Sequence, residues 1–198
     1  VSGLASEATL VLYDGSPFYP QPASLIAMAE QEQVSIFGTS AKYIAALEKA
    51  GVKPRETHNL ENLKALLSTG SPLSHESFNY VYRDLKADIC LASISGGTDI
   101  LSCFILGNPC LPVWEGEIQC RGLGMAVEIW NQQGQPVLEE KGELVCTKPF
   151  PNAPIYFWND ADNKKYLCAY FETYPSIWAQ GDYGEITKHN GVIIHGRS

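Results

Sequence analysis

The chain has 198 residues, room for one domain or two small ones, and its 45% hydrophobic content is that of a globular protein able to bury a core. Lys and Arg total 14 against 22 Asp and Glu, a formal net charge of −8 with no basic cluster, which argues against nucleic acid as a partner. No apolar run approaches the ~20 residues needed to cross a bilayer, and residues 1–9 lack the basic start and apolar stretch of a signal peptide, so no membrane partner and a cytoplasmic location are expected.

Short apolar runs alternate with helical patterns through the first half. Residues 8–13 are followed by a helical pattern over 22–31, residues 35–37 by 40–50 and residues 65–68 by 74–85, before a last apolar run over 88–94. Such alternation is the mark of βα units around a parallel sheet. The clearest helix starts at Ser74, an N-cap residue, with Glu76 in the first turn and Phe78, Val81, Tyr82 and Leu85 at i, i+3, i+4 and i+7 spacing. A second opens at Ser40 and stops at Gly51, a residue suited to the position just past a helix end.

Beyond Pro112 the composition changes. Trp114, Trp130, Trp158 and Trp178 all fall there, among short β patterns broken by Gly and Pro. Residues 125–130 predict a strand followed by a turn over 131–134, and Asn190-Gly191 between residues 185–187 and 192–195 predicts a hairpin. The fold class expected is therefore α/β, with a parallel βα-unit subdomain over residues 1–112 and a smaller β-rich subdomain over 113–198. Cys90, Cys103, Cys110, Cys120, Cys146 and Cys168 are scattered, without a CxxC pair or paired histidines. They predict reduced, mostly buried thiols rather than a zinc site.

In an open parallel sheet, ligands bind beyond the carboxyl ends of the strands. The segments after the apolar runs are Asp14-Gly15-Ser16-Pro17, Gly38-Thr39-Ser40, Thr69-Gly70-Ser71-Pro72 and Ser95-Gly96-Gly97-Thr98-Asp99. Each is small and polar, so that backbone N–H groups and hydroxyls can approach phosphate oxygens, although turns favour the same residues for their own reasons. In the last segment Thr98 could bond a phosphate oxygen while the Asp99 carboxylate holds Mg²⁺, or the segment could simply cap a following helix. Asp182, after Gln180-Gly181, could accept both hydroxyls of a ribose or be an ordinary turn residue. Arg197, after Gly196, could bind ribose or phosphate in a charge-assisted pair or be a surface arginine.

Order and spacing of these pieces together carry a resemblance. Leu10-Val11-Leu12-Tyr13-Asp14-Gly15, Thr69-Gly70-Ser71-Pro72, Ser95-Gly96-Gly97-Thr98-Asp99, Gly142-Glu143-Leu144, Gly181-Asp182 and Gly196-Arg197 resemble the large domain of the adenylate-forming superfamily of acyl-CoA synthetases, adenylation domains and luciferases. Residues 93–100, 112–117 and 123–128 look like the branch of its ligases that takes acetoacetate. The resemblance implies ATP, Mg²⁺, coenzyme A and acetoacetate as small-molecule ligands. It implies adenine contacts from Gly70, Ser71 and Pro72, Thr98 at the α-phosphate, Asp99 near the metal, Asp182 at the ribose, and Arg197 on the ribose and phosphate side. Thr98 and Asp99 would be the catalytic pair.

Three departures from the family pattern bear on these roles. Asp99 is one methylene shorter than the usual glutamate. Ser95, also expected at the cofactor, stands where relatives commonly carry an aromatic residue that stacks on adenine. Gly96 stands where a bulky Trp closes the acyl pocket of acetate-specific relatives, so Gly96 and Gly97 are expected to line a pocket opened for a longer acid.

The resemblance further implies a phosphate-binding loop before Val1 and a lysine-bearing small domain after Ser198. Both ends are accordingly expected to be cuts within a longer ligase, the piece alone to be inactive, and its uncovered faces to favour non-native self-association. A ligase for another short or medium acid, or a non-enzymatic α/β binding module, are the alternative readings.

Overall fold

The computed structural model describes residues 2–198. The chain forms two compact units that divide between Leu91 and Ala92, within the third strand.

In the first unit a one-turn helix α1 (Ser2–Ala5) precedes α2 (Ser24–Gln31), β1 (Ile36–Ser40), α3 (Ala41–Lys49), the short α4 (Pro54–Thr57), β2 (Ala65–Thr69), α5 (His75–Tyr80) and β3 (Cys90–Ser93). Strands β1 and β2 run parallel, with Ile36 opposite Ala65 and Ser40 opposite Thr69, and the sheet order is β1-β2-β3. The expected N-cap at Ser74 forms, and Ser40 caps α3 in the same way. Ser40 Oγ accepts from Tyr43 N at 3.2 Å and Ser74 Oγ accepts from Ser77 N at 3.2 Å, each satisfying a donor that a helix start leaves open. Gly51 takes the left-handed conformation after α3 (φ 65°), as the sequence predicts. The helical path from Ser74 changes pitch after Tyr80 and finishes as a π turn over Val81–Leu85. Its inward face is Phe78, Tyr80, Val81 and Leu85, with Tyr82 only half-buried. Burial pushes the Tyr80 hydroxyl up, and that hydroxyl donates to Val52 O at 2.8 Å.

One expected strand is absent from the first unit. Residues 8–13 carry no strand, and Leu12 is 88% exposed. An apolar run becomes a strand only when a neighbour supplies its hydrogen-bond ladder, and the described sheet order offers this run none.

The second unit is built from β4 (Ser95–Gly97), β5 (Ser102–Leu106), β6 (Cys120–Arg121), β7 (Val127–Trp130), β8 (Gly142–Cys146), α6 (Lys164–Phe171), β9 (Trp178–Ile186) and β10 (Val192–Arg197). It holds a three-stranded sheet β4-β5-β6 and a four-stranded antiparallel sheet β10-β9-β8-β7. Asn190 has φ 61° and Thr187 N donates to Gly191 O at 2.9 Å, closing the predicted hairpin between β9 and β10.

The composition boundary at 112/113 is not where the compact units part. Residues 92–112 go with the second unit because β5 pairs with β6, and because Ile100, Phe104 and Ile105 share a core with Val127, Ile129 and Leu144. Aromatic rings thicken that core, with Phe104, Phe150 and Trp178 in mutual edge or tilted contact.

The six cysteines are free, but only Cys146 is buried; Cys110 and Cys168 are exposed and the other three half-buried. The expectation of mostly buried thiols is corrected to that extent. Among the described residues no group of three or more His, Cys, Asp or Glu converges as a metal cage would require, and no helix is long and apolar enough to cross a membrane.

Candidate functional site

Residues 95–99 do not form the βα loop expected of them. Ser95–Gly97 is itself a strand, Thr98, Asp99 and Ile100 form a turn closed by Leu101 in the left-handed conformation (φ 51°), and the chain returns as β5. No helix follows, so the capping alternative falls. Thr98 and Asp99 are held at an exposed hairpin turn, Thr98 O accepting from Leu101 N at 3.1 Å.

Strand β9 supplies the facing residues. Trp178, Gln180 and Asp182 are all buried, and their two-residue spacing places them on one face of the strand. Asp182 is opposite Arg197 in the β9–β10 ladder, and Arg197 Nη1 reaches Asp182 Oδ1 at 2.8 Å and Gln180 O at 3.0 Å. The other carboxylate oxygen, Oδ2, accepts from Ser95 Oγ at 2.9 Å. Gln180 Nε2 donates to Gly96 O at 3.2 Å, and Gln180 Oε1 accepts from Trp178 Nε1 at 3.0 Å. The β4–β5 hairpin is thereby tied to β9 through Ser95–Asp182 and Gly96–Gln180, and Asp182 is only 7% exposed with both its oxygens bonded.

Three ladder irregularities in the second unit fall beside these residues, between Ser95 and Gly96, between Glu143 and Val145, and between Ile194 and Gly196. A bulge locally turns the strand and re-aims the side chain next to it. Glu143 so aimed accepts from Gly181 N at 2.6 Å. Gly181 itself has φ 76°, and a Cβ there would lie 2.6 Å from Arg197 Nη2, so the guanidinium rests where any other residue would put its side chain.

Gly96 is explained by close approach. A Cβ built on it would lie 2.1 Å from Ser102 O and 2.6 Å from Cys103 Cα, both backbone atoms of β5. The direction of a side chain at 96 is filled by the neighbouring strand, which is a packing reason for glycine at this position. Gly97 is less confined, its nearest neighbour being Gln180 Nε2 at 3.3 Å.

Sequence reasoning missed Tyr170. Its hydroxyl donates to Asp99 Oδ2 in a short hydrogen bond, and its ring stacks on Trp178 at 3.6 Å between centroids and 15° between planes. Burial, then the bond to the Asp99 carboxylate, push the Tyr170 hydroxyl well above its ordinary range. The available signal was the i, i+4 pair Tyr166 and Tyr170 on a segment that had not been read as a helix. A cavity of about 270 Å³ opens beside these groups, lined by Glu143, Tyr170, Thr173, Gln180, Gly181 and Arg197 among others.

Gly70, Ser71 and Pro72 belong to the first unit, just after β2, where Gly70 has φ 85° and open space around its Cβ position. The second unit thus brings together Ser95, Gly96, Gln180, Asp182 and Arg197, and separately Asp99 and Tyr170.

No family model matches the chain. At the level of individual proteins it is 58% identical over 197 residues to the acetoacetyl-coenzyme A synthetase of Rhizobium meliloti (strain 1021), an alignment that takes in 100% of this chain and 30% of that protein. The solved acetoacetyl-CoA synthetase from Streptomyces lividans superposes on 100% of the chain with a TM-score of 0.92 at 44% identity, using 31% of its own length. The anthranilate CoA ligase AuaEII, solved in complex with anthranoyl-AMP, shares the fold over 96% of the chain, with a TM-score of 0.77 at 17% identity. The chain thus spans about 30% of the length of the curated relative it matches.

Proposed function

We propose, on the premise that this chain belongs to the adenylate-forming acyl-CoA synthetases, that the protein activates acetoacetate with ATP and passes the acyl group to coenzyme A. A carboxylate resists thiol attack because its leaving group would be an oxide. Once its oxygen has attacked the α-phosphorus and pyrophosphate has left, the mixed anhydride with AMP offers a good leaving group, and the thiol displaces AMP at the acyl carbon.

One observation carries the nucleotide part of this reading: the buried Asp182 carboxylate, bonded by Ser95 and Arg197 and standing on β9 beside the 270 Å³ cavity. A carboxylate already oriented by two donors is poised to accept the two hydroxyls of a ribose without first losing side-chain freedom. Arg197, 70% exposed at its side chain, has donors to spare for the ribose or phosphate side. Ser95 then acts through Asp182, which replaces the adenine contact its position would otherwise suggest. Thr98 at the hairpin turn is the candidate donor to the α-phosphate. The adenine contacts expected of Gly70, Ser71 and Pro72 rest on the family resemblance alone.

Mg²⁺ fits the donor set in one way. Asp99 is a single exposed carboxylate, and this metal typically takes one or two carboxylates together with substrate phosphates and waters rather than an all-protein cage. Asp99 would hold it, and the bound ion would neutralise charge on the phosphates. Asp99 itself contributes one oxygen at a position set by the turn.

Acetoacetate-dependent release of pyrophosphate by the intact protein tests the activity, and turnover with acetate but not acetoacetate would refute the substrate. Asp182→Asn should raise the KM for ATP by about tenfold or more, the scale of a lost hydrogen bond to a charged group, with a smaller change in the KM for the acid. Equal shifts in both would count against a ribose role.

A further inference from the structure

Asp99 sits on an exposed turn, where a carboxylate would ordinarily sample several rotamers. Tyr170 is the opposite case. Its ring is stacked on the buried Trp178 and lies edge-on to Phe157 and Tyr166, at 6.0 and 6.1 Å between centroids. The helix that carries it is anchored at its start by the buried Asp160, whose two carboxylate oxygens accept from Lys165 N at 3.0 Å and Tyr166 N at 2.9 Å, a favourable charge at the positive end of the helix. The hydroxyl of Tyr170 therefore has a fixed place, and it is bonded to Oδ2 of Asp99.

We propose that Tyr170 is a positioning residue for Asp99: its packed ring delivers a hydroxyl that locks the carboxylate rotamer and leaves Oδ1 presented to a divalent cation carried by the triphosphate. This rests on the reading of Asp99 as the cation's protein ligand. The arrangement follows the general logic by which a ligating carboxylate is itself hydrogen-bonded, and by which removal of that outer partner typically weakens metal affinity by about 10–100-fold. The same ring links the cation side to the ribose side, because Trp178, on which it stacks, bonds Gln180, and Gln180 bonds Gly96.

The test uses the intact protein and ATP, with binding followed by calorimetry while Mg²⁺ is titrated, and with a parallel measurement in EDTA. Tyr170→Phe keeps the ring and the stack and removes only the hydroxyl. It should raise the Mg²⁺ concentration for half-maximal binding by about tenfold, leave binding in EDTA unchanged, and leave the thermal midpoint within a few degrees of the parent. In an Asp99→Asn background the same substitution should then do nothing more, since the hydroxyl acts through that carboxylate. If Asp99→Asn weakens the Mg²⁺ dependence and Tyr170→Phe does not, the positioning role is overturned while the metal role stands. If Tyr170→Phe weakens binding in EDTA as much as with Mg²⁺, the residue serves the fold or the nucleotide directly and the proposal fails. If Asp99→Asn changes nothing, the metal reading falls and the proposal with it.

Discussion

Asp182 and Asp99 are both carboxylates beside a small turn residue, yet the structure treats them differently. Asp182 is buried with two donors, whereas Asp99 is exposed and held by a tyrosine from another element. In sequence the two were legible only as acidic residues in plausible places, because a bond from Ser95 spans 87 residues and one from Tyr170 spans 71. Environment also separates the thiols. Cys168 is exposed, but its Sγ lies 3.0 Å from Glu172 Oε2, and that carboxylate raises the thiol above its ordinary range. Since the thiolate is the reactive form, Cys168 is less reactive than its exposure suggests. Glu172→Gln should therefore speed its alkylation at pH 8, monitored by mass spectrometry of the peptide that contains it, and an unchanged rate would remove the carboxylate as the cause.

At the scale of elements, local signals were reliable where the whole argument is local. The serine cap at Ser74 and the glycine after α3 need only residues three or four positions away, the cap contributing about 1 kcal/mol. The hairpin at Asn190-Gly191 is of the same kind, because two residues decide its turn. Residues 95–102 show the limit. Gly-Gly-Thr-Asp after a buried run suits a βα loop and a β-turn equally, and the choice fell to the β4–β5 pairing. That pairing makes Gly96 a packing requirement: Gly96→Ala would drive a methyl against the Ser102 carbonyl and should cost about 1–3 kcal/mol, the range of overpacked sites. Urea denaturation of the second unit reads this directly. A midpoint equal to the parent would mean the hairpin relaxes freely and the glycine is there for another reason.

For the whole molecule, the exposed apolar surface is the feature with consequences. Ile155 is 87% exposed, Tyr156 64% and Trp158 86%, and they line a cavity of about 520 Å³ distinct from the candidate site. Apolar groups clustered this way favour association, because burying them removes area from water at about 25 cal/mol per Å². Sedimentation equilibrium of the 198-residue chain should show a weight-average mass that rises with concentration, and Trp158→Ser with Ile155→Ser should lower it. A monomer at all concentrations for the unsubstituted chain would sink the idea.

The sequence by itself determined the α/β class with its parallel βα units, the cap at Ser74, the glycine stop after α3 and the β9–β10 hairpin, and the order of its short motifs carries the family resemblance. These follow from periodicity and turn chemistry, which act over a few residues, or from a pattern that survives as text. Tertiary structure alone decided that residues 8–13 find no sheet neighbour, that residues 92–112 belong with the second unit, that the space at Gly96 is taken by β5, and that Tyr170 and Ser95 hold the two carboxylates. Each of those depends on which distant backbone or hydroxyl comes within 3 Å, and no local pattern encodes that proximity.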